Sequence, residues 1–122
     1  MLKREIEFKA ISKVYNKWVY GYYMKQEGKN YIINDNGVYG VVEATVAQYT
    51  GLKDIEGNKI YENDVLISFN GKGYDIYVII DKGHIRPAIE GLEGDKLHID
   101  FLTETDIEEY KYKVVGNKFG IK

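Results

Sequence analysis

QYTGLKDIEGNKIYENDV, residues 48–65, is the stretch that decides the fold. Gly51 takes a positive φ more readily than its neighbours, which predicts a sharp turn at that position. Asp54–Lys59 has the composition of a tight loop, and its Gly57-Asn58 pair favours positive φ. Glu62–Asp64 is a polar turn that precedes an apolar strand. The segment therefore predicts a structural corner in preference to a binding loop.

Short strand patterns flank this corner on both sides. The chain has 12 Tyr, 4 Phe and 1 Trp, residues that fit a pleated surface, and 13 Gly for turns. Period-2 alternation predicts three inward-facing rows: Trp18, Tyr20, Tyr22 and Met24; Val65, Ile67 and Phe69; Tyr74, Ile76, Val78 and Ile80. Since barrels remove exposed strand edges, we expect a mainly β fold, an antiparallel meander with a small barrel-type C-terminal lobe.

Helical signals are weak. Thr105 has N-cap spacing with Glu108, and a second turn is predicted around Glu43–Gln48. We expect at most one or two short helical turns. The 122 residues predict one domain, with an aromatic and basic lobe at about 1–50, a turn-rich connector at 51–64 and a β-barrel-like lobe at 65–122.

Composition excludes several classes of protein. The absence of Cys rules out disulfides, thiolate metal sites and Cys nucleophiles. Charged residues at the start and the lack of a long apolar run argue against secretion and membrane insertion, so we expect a cytoplasmic protein. A net charge of -2 argues against a dominant electrostatic footprint for nucleic acid. The charge is uneven, because residues 3–17 are basic and residues 90–109 are strongly acidic.

Recognisable enzyme constellations are missing from the sequence. Neither serine lies in a nucleophile elbow, and the glycines form no phosphate-binding loop. His84 and His98 lie on neighbouring predicted strands, where they would face each other and, with Asp81 or Asp100, hold a metal ion. No ligand spacing supports that site. We expect no catalytic residues, no cofactor and no metal.

Two stretches are candidates for binding. The first combines lysines with rings that stack on bases in single-strand platforms; its residues are Lys13, Lys17, Trp18, Tyr20, Tyr22 and Lys25. The alternating rings fit a hydrophobic core equally. The second is acidic and suits a basic surface of a protein partner or of a second copy, or is simply a solvated face; its residues are Asp100, Phe101, Glu104, Asp106, Glu108 and Glu109.

Three pieces of the sequence resemble the YopX family of phage and prophage proteins. QYTGLKD with the following Gly-containing loop and IYEND (48–64) is similar to the family's hallmark, REIEFKA (4–10) to its opening pattern, and VVGN (114–117) to its closing one. The resemblance implies an all-β fold with an SH3-like barrel in the C-terminal lobe, a phage or prophage origin and residence in the cytoplasm of the bacterial host. It implies no activity and no catalytic residues.

The sequence departs from the family pattern in two places. Ile11 stands where a Trp is usual, and Lys118-Phe119-Gly120 replaces the usual Ile-Tyr-Glu and acidic tail. We therefore expect the C-terminal edge to pack differently here.

One functional hypothesis and one alternative follow. We expect a phage accessory protein without enzymatic activity that binds a protein partner, from host or phage, or a second copy of itself. The alternative is a nucleic-acid-binding module that uses residues 13–25.

Overall fold

The computed structural model describes residues 7–81, 84–93 and 96–120, with side chains except at 77–81, 84–85, 92–93 and 97–98. The chain divides into two compact units, residues 1–49 and 50–122. The first unit contains β1 (Phe8–Ile11), β2 (Trp18–Gln26), β3 (Lys29–Asn34), β4 (Gly37–Gly40), a 3₁₀ turn (Glu43–Thr45) and the start of β5 (Ala47–Lys53). The second contains the end of β5, then β6 (Lys59–Tyr61), β7 (Asp64–Ile67), β8 (Gly73–Asp81), β9 (His84–Glu93), β10 (Lys96–Phe101), α1 (Glu104–Tyr110) and β11 (Lys113–Asn117). That the two units form one domain stays a prediction.

The first unit is an antiparallel sheet with strand order β4-β3-β2-β1-β5. One side of the sheet forms a small hydrophobic core. Its buried members are Ala10, Val19, Ile32 and Val41, and Phe8, Tyr23, Tyr39 and Val46 pack against them. The Tyr23 hydroxyl donates to Asn30 Oδ1, which gives this half-buried ring a polar partner.

The row Trp18, Tyr20, Tyr22 and Met24 lies on the other side, so the prediction that it faces inward is wrong. Tyr22 is 67% exposed, whereas Val19 on the same strand is buried. Both sides of β2 are apolar, and the side with the smaller residues faces the core. Gly21 is on that side, and a Cβ there would overlap the carbonyl oxygen of Ile33 on β3. The close approach of β3 therefore requires glycine.

The second unit contains an antiparallel sheet with strand order β10-β9-β8-β7-β11. Within the described residues β10 pairs with β9 alone and β11 with β7 alone, so this sheet is open and the expected barrel closure is not found. The mainly β class, the antiparallel meander and the two short helical elements are confirmed.

The core of the second unit gathers residues from its strands and its helix. It consists of Ile60, Leu66, Tyr74, Ile76, Ile89, Leu102, Ile107 and Tyr112. The inward prediction is confirmed for Tyr74 and Ile76, while the side chains of Val78 and Ile80 lie outside those described.

The inward-facing prediction is wrong for the row Val65, Ile67 and Phe69. Leu66 is fully buried, whereas Phe69 is 69% exposed. The buried side also carries Asp64 and Ser68, which hydropathy would place outside. Hydrogen bonds compensate their burial: Asp64 Oδ2 accepts from the Tyr61 N–H at 2.8 Å, and Ser68 Oγ from the Lys72 N–H at 3.3 Å.

Helix α1 begins two residues earlier than predicted. Thr103, not Thr105, is the N-cap: its Oγ1 accepts from the Asp106 N–H at 3.2 Å, and Asp106 Oδ2 accepts from the Thr103 N–H at 3.1 Å. This capping box directs Ile107 into the core. In the part of the chain that the structure describes, no helix has the length and apolar character needed to span a membrane.

The tight loop after β5 and the polar turn before β7 form as predicted. The sharp turn predicted at Gly51 is wrong, because Gly51 lies within β5, and of the Gly57-Asn58 pair only Gly57 has a positive φ. Asp54 is the centre of the corner segment. This side chain is 5% exposed. Its Oδ1 accepts from the backbone N–H groups of Glu56 and Asn58 at 2.9 and 2.8 Å. Its Oδ2 accepts from Asn58 Nδ2 at 3.2 Å and from the Val114 N–H at 3.0 Å. One buried carboxylate thus closes the loop and ties it to β11, 60 residues away in sequence.

Three further positions explain the segment's composition. Gly51 and Gly57 have φ of 88° and 85°, values that favour glycine. The Thr50 hydroxyl donates to the Ile60 carbonyl at 2.7 Å and joins β5 to β6. Structural roles are therefore sufficient reason for these residue types.

Candidate functional site

The outer side of the first unit's sheet is the first candidate surface. Strand register sets its membership, since residues opposite each other in an antiparallel pair share a side. Tyr22 lies opposite Ile33, and Ile33 opposite Val38. We call this surface the aromatic face; it comprises Trp18, Tyr20, Tyr22 and Met24 of β2, Tyr31 and Ile33 of β3, and Val38 of β4.

The aromatic face is strongly apolar for a solvent-facing surface. Tyr22 and Val38 are 67% and 60% exposed, and Tyr20 and Met24 are exposed beside them. Contiguous apolar patches of this kind mark interaction sites, and Tyr, Trp and Met are residue types that interface centres favour. The face has the chemistry of a docking surface.

The predicted lysines are only partly brought together with these rings. Lys13 and Lys17 lie exposed in the turn between β1 and β2, and Lys17 directly precedes Trp18. Lys25 is one residue out of phase with Met24, so it lies on the other side of the sheet, and its Nζ donates to Glu43 Oε1 at 3.1 Å. That hydrogen bond, with the attraction of the carboxylate, raises the pKa of Lys25. Lys25 thus does not belong to the aromatic face.

A lysine that the sequence interpretation missed does belong to it. Lys9 lies opposite Tyr20, and its Nζ is 4.4 Å from the Trp18 ring centroid. This geometry is a cation–π contact. Strand pairing brings Lys9 of β1 and the residues of β3 and β4 to the aromatic face. Nothing in the sequence of residues 13–25 predicts them.

The predicted acidic surface divides into residues with structural roles and exposed ones. The Arg86 guanidinium lies 3.7 Å from the Phe101 ring centroid, so this ring already has a partner. Asp100 Oδ1 accepts from the Phe101 N–H at 2.8 Å, and Asp106 caps α1. The remaining members are exposed on α1: Glu104, Glu108 and Glu109.

The histidines do not face each other across a strand pair. His84 lies opposite Asp81, and His98 lies opposite Gly91, which makes the sequence prediction wrong. The side chains of both histidines lie outside those described. Among the described residues there is no group of three His, Asp or Glu able to hold a metal ion.

A cleft in the second unit is a further candidate that the sequence interpretation missed. Its volume is about 500 Å³. The cleft is lined by Ile55, Glu56, Ile67, Ser68, Phe69, Gly71, Lys111 and Lys113. These residues come from three segments, so no local pattern indicates it. We call this site the second-unit cleft.

The fold and these surfaces define a mainly β protein whose described part exposes apolar side chains on the aromatic face and around the second-unit cleft. The chain belongs to the YopX family, because the family model described as YopX protein matches residues 2–120. The membership confirms the resemblance carried by the corner segment and by the opening and closing pieces. No curated protein matches the chain.

Proposed function

We propose that this protein is a non-enzymatic phage or prophage accessory protein, resident in the cytoplasm of the bacterial host, that binds a protein partner through the aromatic face. The observation that carries the proposal is the exposed row of Tyr20, Tyr22 and Met24 beside Trp18. Covering one large apolar side chain is worth roughly 1.5–3 kcal/mol. A partner that covers several of them gains enough to offset the cost of association.

The charges around the face favour a protein over nucleic acid. Residues 1–49 contain seven Lys and Arg against five Asp and Glu, a small excess for a phosphate-binding unit. Lys25 is turned away and paired with Glu43, while Lys9 lies over Trp18. Single-stranded nucleic acid is the second candidate, favoured by the same exposed rings, which stack on bases in other proteins.

A paired-variant capture experiment tests the proposal. Tyr22→Ser combined with Met24→Ser removes two exposed side chains of the face, and Val14→Ser, which alters an 80% exposed residue of the β1–β2 turn, is the matched control. We expect a defined host or phage protein to be captured from lysate by the wild type and the control and lost by the double variant. Unchanged Trp18 fluorescence would show that the first unit stays folded.

Three results would contradict the proposal. Retention of the captured protein by the double variant would separate binding from the aromatic face. A salt-dependent shift of a labelled oligonucleotide, lost in the double variant, would replace the protein partner by nucleic acid. Salt-sensitive dimers in light scattering, lost in the same variant, would make a second copy the partner.

A further inference from the structure

We propose that the second-unit cleft binds an acidic peptide segment of a protein partner, in which an aromatic or aliphatic side chain stands next to a carboxylate. None of the residues of the aromatic face lines the second-unit cleft, so binding in the cleft does not depend on the proposed function.

Strand β7 supplies the apolar floor of the cleft. Ile67 is on the outer side of this strand, opposite Lys113 of β11. Opposite residues in an antiparallel pair have close Cβ atoms, so the aliphatic side chain and the lysine stem line one surface. A single bound residue therefore meets an apolar contact and a cation together.

Two walls flank this floor, and backbone hydrogen bonds hold both. The Ile55 N–H donates to the Tyr112 carbonyl at 2.9 Å, and the Phe69 N–H donates to the Tyr110 carbonyl at 2.9 Å. Behind Phe69, a turn is closed by the Gly71 N–H, which donates to the Ser68 carbonyl at 3.0 Å. Walls fixed in advance lower the ordering cost of binding.

The walls present apolar side chains that the unit's own core leaves uncovered. Phe69 is 69% exposed and Ile55 is 41% exposed. The cavity of about 500 Å³ has the size of known ligand pockets and accommodates one large side chain with its neighbours. The apolar half of the ligand follows from this lining.

The charged residues of the cleft lining determine the polar part of the ligand. Lys111 ends α1 in a left-handed conformation, and Lys113 follows two residues later. Neither lysine forms an ion pair with any residue that the structure describes. The lining contains one carboxylate, that of Glu56, in a unit with 14 Asp and Glu against 10 Lys and Arg. A local excess of cations on an acidic unit attracts a carboxylate and disfavours a basic peptide.

The test is an NMR titration of the full-length ¹⁵N-labelled chain with two short peptides. The probe is acetyl-Glu-Phe-Glu-amide, and the control is acetyl-Lys-Phe-Lys-amide. We expect the acidic peptide alone to shift the amide signals of Ile55, Ile67 and Phe69. Phe69→Ser should weaken this binding about fivefold without unfolding the protein, because the ring is mostly exposed.

Charge reversal gives the sharper readout. Lys111→Glu combined with Lys113→Glu should invert the preference, so that the basic peptide shifts the cleft signals. Equal shifts by both peptides, an unchanged response in Phe69→Ser, or no shift at millimolar peptide would each overturn the inference. Stronger binding of phenylacetate than of the acidic peptide would show that the cleft does not bind a peptide and would overturn the inference. The Tyr22→Ser, Met24→Ser variant should respond as the wild type does, which separates the two proposals.

Discussion

Replacing Asp54 by Ala removes the carboxylate that organises the corner segment. Four N–H groups donate to it, three of them from the backbone of Glu56, Asn58 and Val114. A hydrogen bond to a charged group contributes about 1.5–3 kcal/mol, but water reaches the exposed loop donors after the substitution and replaces part of that loss. We expect Asp54→Ala to lower the free energy of unfolding of the second unit by about 3–5 kcal/mol.

Asp54→Asn should remove only part of the stabilisation that the carboxylate provides. The amide keeps one acceptor oxygen for the loop donors and turns its NH₂ toward the Val114 N–H, where two donors then meet. We expect a loss of about 2 kcal/mol for this variant. Asp75→Asn is the matched control, because Asp75 is an exposed carboxylate of the same unit, and its effect should stay within about 0.5 kcal/mol.

The assay for these variants is urea unfolding followed by the NMR methyl signal of Ile107, a buried residue of the second unit's core. Trp18 fluorescence follows the first unit separately, since this is the only tryptophan in the chain. A loss below about 1 kcal/mol for Asp54→Ala, or one equal to that of Asp75→Asn, would refute the structural role of the carboxylate.

Three other predictions concern strand packing, the helix cap and pH. Gly21→Ala forces its new Cβ against the β3 backbone and should cost about 2–4 kcal/mol by Trp fluorescence in urea, whereas Gly40→Ala, with open space above it, should cost little. Thr103→Ala should cost about 1 kcal/mol by the same titration on the Ile methyl signals, and no loss would contradict the capping box. Burial, helped by neighbouring groups, raises the pKa of Tyr112. The contribution of this tyrosine to the free energy of unfolding is therefore fully present below its unfolded pKa of about 10 and is lost as the pH rises above that value. Tyr112→Phe should flatten that loss of stability between about pH 9 and 11 relative to the wild type, and identical slopes would contradict the prediction.

Local residue chemistry predicts the strands and most of the turns, but it does not predict the sides of the strands that are buried. In β2 the alternation separates two rows correctly, yet both rows are apolar, so hydropathy does not decide between them. The inward row contains Val19, which is buried, and Gly21, whose missing side chain lets β3 approach closely. Packing against the neighbouring strand determines that the row with the smaller side chains is buried.

Polar residues caused the corresponding error in β7. Asp64 and Ser68 are buried because the adjacent turns supply hydrogen-bond donors for them. At α1, Thr103 and Thr105 each have an acidic residue three positions later, so the capping-box spacing fits both. Ile107 decides between them, since the helix that places it in the core begins at Glu104.

The candidate surfaces were predictable in proportion to how local they are. The sequence indicated the rings of β2, because they lie within one strand. Tyr31 and Val38 join them only through strand register. The second-unit cleft needed the full topology, since a loop, a hairpin and the end of α1 meet there.

The corner segment links family membership to this cleft. The side chains of Asp54 and Thr50 form hydrogen bonds within the loop and to β6. Their roles in the fold therefore explain these residue types, and no ligand is needed to explain them. The same loop carries Ile55 to the wall of the cleft, 41% exposed and directly after the anchoring carboxylate. A change at Asp54 should therefore act twice, on stability and on the position of Ile55. The milder Asp54→Asn should stay folded and bind acetyl-Glu-Phe-Glu-amide more weakly, while Asp75→Asn should bind it as the wild type does.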